Sequence, residues 1–197
     1  MDVFKGTDKL ARIFWFGDGA CVTTGFGRVA KSILVPLYKT GKYDIVQLGI
    51  NYYGDPHSLP FRIFPLRYGD MYGVGRLYEV LKGMEPDVLI TNNDIWAVDW
   101  VAKQLNIVRQ ELGKIIPWIH YFPLDGLPVK SEWTHFLRTS VDIPVAYTKW
   151  AVEEINKVDP LVQVEQIYHG VDTLMFYPDE SIKQQFRKQL SKTWQGF

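Results

Sequence analysis

The sequence predicts an α/β fold, a doubly wound and mostly parallel sheet with helices on both faces. Three observations carry this. Short apolar runs alternate with helical patterns along nearly all 197 residues. Those runs are almost unbroken in their apolar character, as strands covered on both faces are. Hydrogen-bonding residues follow one predicted strand after another, at the end where such sheets hold ligands.

Taken in order, Arg12–Phe16 reads as a first strand and Gly25–Tyr38 as a helix with Val29, Ile33 and Leu37 on one face. Pro36 and Gly41 suggest where that helix stops. Tyr43–Ile50 is a second strand. Arg62–Pro65 is a short third, bounded by prolines and suited to an edge. Val74–Met84 is a helix, Val88–Thr91 a strand and Ile95–Leu105 a helix. Ile115–His120 is a strand, and Tyr121–Lys130 is the single long irregular stretch, the kind of loop that often carries function. Ser131–Arg138 is a helix with Ser131 as its candidate cap. Ile143–Tyr147 is a strand, Lys149–Lys157 a helix and Val162–Tyr168 a last strand. Asp179–Leu190 is a polar helix with Ile182, Phe186 and Leu190 on one stripe, continued by Trp194. That stripe needs a surface, either the chain's own sheet or another body.

Composition narrows the functional classes. Hydrophobic residues are 47% and charged residues 22%, which is globular rather than disordered. The formal net charge is +0, so no global field attracts nucleic acid or an acidic membrane. No segment is apolar for the roughly 20 residues a membrane helix requires, and Met1–Lys5 lacks the features of a signal peptide. One cysteine excludes an intrachain disulfide and fits a reducing, cytoplasmic setting. His57, His120, His135 and His169 have no metal-ligand spacing, and nothing supplies Cys21 with a base. Asn92-Asn93-Asp94 is similar to the Asp-x-Asp of metal-dependent sugar transferases but lacks the first acid. Neither a metal nor another cofactor is therefore expected.

The chemistry-bearing residues cluster after the strands. The first strand is followed by Gly17–Arg28, which includes Thr24, Gly25, Phe26 and Gly27. A glycine-rich loop opening a helix lets backbone approach an anion or a sugar, because the first helical N–H groups lack internal partners. The same residues also serve ordinary turns. Asn92 and Asp94 follow the Val88 strand. His120 ends its strand, able to donate, accept or carry charge near neutral pH, with Tyr121 and Asp125 just beyond. A buried strand-end histidine bonded to a carbonyl is the structural alternative for His120, and a turn aspartate the alternative for Asp125. Thr148 and then His169, Gly170 and Asp172 follow the last two strands. Gly25–Ala30 also matches the dinucleotide pattern G-x-G-x-x-A. However, its glycines lie well past Phe16, and no acid ends the second strand, so a redox cofactor is the weaker reading.

His169-Gly170-Val171-Asp172-Thr173 followed by Phe176-Tyr177-Pro178 resembles the H-G-V-D-T-x-x-F-x-P run of family 4 glycosyltransferases, which have the GT-B architecture. Ile119–Gly126 is similar to that family's segment bearing a sugar-facing histidine. Thr24–Gly27 resembles its first glycine-rich loop, and Ala146–Trp150 its last strand-to-helix junction. The resemblance covers about residues 11–190.

The resemblance implies a Rossmann-like N-terminal domain, expected here over 1–178, that binds mainly the acceptor. Residues 179–197 are then an amphipathic helix and the start of a linker to a donor-binding C-terminal domain that has no counterpart in the sequence. It implies retaining transfer of a hexose from a nucleotide-diphosphate sugar to a sugar or glycan acceptor, without a divalent metal. Gly25 and Gly27 would approach phosphates or acceptor by backbone, and His120 would contact the transferred sugar as a catalytic residue. Asp125 would orient an acceptor hydroxyl, and His169–Asp172 would lie near the interdomain cleft. The alternatives are an interaction module docking through its C-terminal helix and a nucleotide-binding protein using Gly25–Ala30.

Overall fold

The computed structural model describes residues 10–193; Trp194 and the N-terminal residues 1–9 lie outside them. Seven strands form one sheet: β1 (Ala11–Asp18), β2 (Tyr43–Ile50), β3 (Arg62–Pro65), β4 (Val88–Asn92), β5 (Trp118–Phe122), β6 (Ile143–Ala146) and β7 (Glu165–Gln166). Their order is β3-β2-β1-β4-β5-β6-β7, and every pairing is parallel. The chain runs outward from β1 to the β3 edge, returns, and runs outward again through β4 to β7. The reversal beside β1 is the switch point where open α/β sheets bind ligands.

The helices are α1 (Gly25–Lys39), α2 (Leu77–Met84), α3 (Val101–Leu112), α4 (Ser131–Ser140), α5 (Lys149–Val158) and α6 (Glu180–Thr193). Strand alternation sorts them. Phe14, Phe16, Val46, Leu48 and Leu89 point into a core built with α2, α3, α4 and α5. Trp15, Ile45 and Ile63 point the other way, into a smaller core with Ala30 and Leu34 of α1. The helices do stand on both faces, but among the described residues four cover one face and α1 alone covers part of the other. Over β4, β5 and β6 this second face holds an open groove of about 1070 Å³, lined by Ile90, Ile119, Tyr121 and Val145 opposite Val29 and Ile33.

Several boundaries differ from the sequence reading. In α1, Ala30 and Leu34 are buried while Val29 and Ile33 border the groove, so the inward face is rotated by about one position. The expected Ile95 helix is a short 3-10 turn, Ile95–Ala97, followed by α3. β5 begins three residues later than expected and takes in Tyr121 and Phe122, because Pro117 cannot supply a strand N–H. Ser131 is not a cap; Lys130 occupies that position without a side-chain bond. The last strand shrinks to Glu165–Gln166. α6 is exposed from Ser181 to Leu190, and none of its side chains up to Leu190 joins either core. Among the described residues no helix is long and apolar enough to cross a membrane.

Candidate functional site

At the end of β1, Asp18 is only 5% exposed, and its carboxylate accepts from the Thr24 hydroxyl and from the Asn51 amide at 3.2 Å. Gln47, fully buried in β2, accepts from the Ala20 amide at 3.0 Å and donates to the Asp18 carbonyl at 2.8 Å. The Thr24 hydroxyl also accepts from Gly27 N at 3.0 Å and so caps α1. Thr24 therefore spends both its proton and a lone pair on the loop itself. Gly27 is fixed by packing, since a Cβ there would lie 2.7 Å from the Val22 carbonyl oxygen and 2.8 Å from that of Gly19. Nothing lies within 4 Å of a Cβ at Gly25, so that backbone is the approachable part of the loop. Phe26 is half-buried beside it. Sequence reasoning missed Asp18 and Gln47. The available signal was a polar residue inside or ending an otherwise apolar strand.

The ends of β4, β5 and β6 converge with the segment after β7. Asn92, fully buried, donates to the Tyr121 carbonyl at 3.0 Å and to the Tyr147 hydroxyl. Tyr121 and Tyr147 have ring centroids 4.4 Å apart, and His169 lies 4.0 Å from Tyr147. The Tyr121 hydroxyl donates to the Ile167 carbonyl at 3.0 Å. Its one hydrogen being used, it accepts from His169 Nδ1, also at 3.0 Å, which leaves His169 Nε2 as an acceptor. Burial lowers the His169 pKa and favours that neutral form. Burial likewise raises the Tyr121 and Tyr147 phenols, so both stay protonated donors. Beside them Asp94, half-buried, has its pKa raised by burial and then by the charge of Asp125. The two carboxylates thus share one corner of the edge, which favours a ligand that brings hydroxyl donors.

His120 is placed differently from the expectation of a ligand-facing side chain. It is fully buried on the opposite face of β5, between Trp118, Phe122 and Phe136. Its Nδ1 lies 2.8 Å from the Thr91 hydroxyl, which also accepts from the Trp118 indole at 2.9 Å. Burial pushes its pKa down to about 3, so it is neutral at physiological pH. The reason is strand alternation: Tyr121, the next residue, has the outward position. The buried-histidine alternative describes these surroundings, with a threonine hydroxyl in place of a carbonyl.

The other expected residues lie on the loops around this edge. Thr148 caps α5 by accepting from Ala151 N at 3.1 Å. Asp172 accepts from Leu174 N at 2.9 Å and shapes the turn after His169. Gly170 has open space around it. His169, Gly170 and Asp172 also border the groove over the second face. Asp94 lies close enough to feel the charge of Asp125 and to act on Tyr147, the partner of Asn92, whereas Thr24, Gly25, Phe26 and Gly27 lie on the loop between β1 and α1. Among the described residues no group of three or more His, Cys, Asp or Glu side chains is placed to hold a metal ion.

No protein-family model matches the chain, and no curated protein shows significant similarity to it. Solved structures do. An alpha-glucosyltransferase in complex with UDP and a DNA containing an HMU base superposes with a TM-score of 0.54 at 12% identity, covering 88% of this chain and 47% of that one. A second structure of an alpha-glucosyltransferase with UDP and such a DNA gives a TM-score of 0.54 at 12% identity, over 86% and 46%. The chain thus spans less than half the length of these two structures. At this identity the likeness concerns the fold, which is Rossmann-like and of the GT-B kind.

Proposed function

We propose that this chain is the acceptor-side domain of a retaining, family 4-like glycosyltransferase that transfers a hexose from a nucleotide-diphosphate sugar when joined to a donor-side domain or partner chain. The observation that supports this best is the Tyr121–Tyr147–His169 cluster, which ties the H-G-V-D-T run to the ligand edge of the sheet. The fold shared with UDP-bound glucosyltransferases agrees with it. In this reading the Gly25 backbone approaches the donor phosphates or the acceptor. His169 Nε2 accepts from a sugar hydroxyl, and Asp94 with Asp125 orients the acceptor. His120 holds the β4–β5 edge through Thr91 rather than touching the sugar. Cations for the leaving diphosphate come from the donor side. In this reading the described residues up to Pro178 belong to the acceptor-side domain, and α6 leads toward the second one. A cytoplasmic setting and metal-independent transfer belong to the same reading.

The test is calorimetric titration of the chain with UDP- and GDP-sugars and with candidate acceptor sugars. Acceptor binding is expected without tight nucleotide-sugar binding, and His169→Ala should weaken it about tenfold. Tight nucleotide-sugar binding with turnover would mean the chain completes the site alone. Binding of neither ligand would remove the acceptor role. The exposed stripe Ile182, Phe186 and Leu190 favours a second reading, an interaction module docking through α6. Pull-down of a partner by the chain, lost in Phe186→Asp while sugar binding is absent, would select it.

A further inference from the structure

Four large aromatic side chains stand exposed on the loops that follow β2, β3 and β4. Tyr72 and Trp96 have ring centroids 6.3 Å apart, and Tyr53 and Tyr68 6.4 Å. Trp96 is 53% exposed and Tyr68 fully so. Tyr68 and Tyr72 share the loop 66–76, so this loop supplies one ring to each pair.

The backbone that carries these rings is tied down at several points. Asp70 spends its carboxylate on Gly73 N at 2.8 Å and Gly75 N at 3.0 Å. Gly73 has φ +79° and lies so close over Phe16 that a Cβ would meet the ring at 2.9 Å. Leu66 N donates to the Tyr52 carbonyl at 2.9 Å and ties the loop to the end of β2. Trp100 stands edge-on to Phe16 at 5.7 Å and donates its indole N–H to Ala97 O at 2.8 Å, bracing the turn that carries Trp96. A backbone tied in advance lowers the ordering cost when a ligand stacks on the rings it carries.

Charge narrows the ligand. Asp55, Asp94, Asp99 and Asp125 stand on these loops and the one after β5. The Lys and Arg residues there are Arg67, Arg76 and Lys130, and each is engaged. Arg67 pairs with Glu79 at 2.6 Å, Arg76 donates to the Pro65 carbonyl, and Lys130 lies 5.2 Å over the Trp133 ring. An acidic edge with occupied cations repels a phosphodiester backbone. It suits a ligand with apolar ring faces and hydroxyl donors, which is a neutral sugar chain.

We infer that Tyr53, Tyr68, Tyr72 and Trp96 form a stacking surface for a neutral oligosaccharide, each pair taking different sugar rings. Resting on the glycosyltransferase reading, this makes the acceptor a glycan of more than one residue. The test is affinity electrophoresis of the full chain through gels holding hydroxyethyl cellulose, glycogen or galactomannan, with a single-stranded DNA oligonucleotide as the nucleic-acid arm. Retardation by at least one neutral polysaccharide is expected. Trp96→Ala should weaken it about tenfold, while Trp96→Phe keeps most of it. Ile115→Ala, in the segment before β5 and away from these loops, should change nothing.

Retardation by none of the three, equal retardation of Trp96→Ala, or binding to the DNA alone would overturn the inference. Circular dichroism of each variant shows whether it has folded, and Tyr72→Ala replaces any variant that has not. Glycan binding that depends on Trp96 supports the surface even if no sugar transfer is ever found, so the two readings fail separately.

Discussion

His120 shows how one residue's position along a strand outweighs its chemical promise. It ends an apolar run beside the ligand edge, yet it turns into the core and hydrogen-bonds with Thr91. The consequence is measurable. Its pKa is about 3 in the fold against an ordinary 6.5. Between those values the unfolded chain binds a proton that the folded chain does not, so stability is present above pH 6.5 and is lost as pH falls toward 3. The slope is as much as about tenfold in the folding constant per pH unit. Urea unfolding across that range should show it, and His120→Phe should flatten it. An unchanged slope in the variant would assign the acid sensitivity to other groups. At the opposite position Tyr121 stands at the open edge and reaches His169.

At the scale of elements, the loop between β1 and α1 is held from beneath by Asp18, Gln47 and Asn51. Its two helix-opening glycines have different jobs. Gly27→Ala pushes a methyl into two carbonyl oxygens and should cost about 1–3 kcal/mol in urea unfolding. Gly25→Ala meets open space and should leave stability within about 0.5 kcal/mol while weakening any ligand that approaches its backbone. Equal losses for the two would mean the loop packs differently in solution. Gly25 and Gly27 were legible in the sequence as a pair, but their division of labour was not. It depends on where Val22 and Gly19 place their carbonyls, and periodicity carries no such information.

For the whole molecule, the winding direction decides which surfaces are open. The run from β4 to β7 places α3, α4 and α5 on one face, and the run from β1 to β3 contributes only α1 to the other. The groove over Ile90, Ile119 and Val145 follows from that imbalance. α6 leaves its apolar stripe in solvent. Truncation before Glu180 should therefore change the unfolding free energy by no more than about 0.5 kcal/mol. A loss of about 2 kcal/mol or more would show that α6 packs on the sheet in solution.

The sequence by itself determined the parallel α/β architecture, because buried parallel strands demand continuous apolar runs and their crossovers demand helical periodicity. It also placed polar residues at the carboxyl ends of the strands, since a polar residue after strand upon strand survives any error of one or two residues in a boundary. Only the tertiary structure decided which of those polar residues stand at the open edge and which turn into the core. That choice depends on a one-residue alternation, as at His120 and Tyr121, and on partners distant in sequence, such as Asn92 with Tyr147 or Tyr72 with Trp96. Side chains are aimed by strand pleat and loop closure, and both are settled when the sheet assembles.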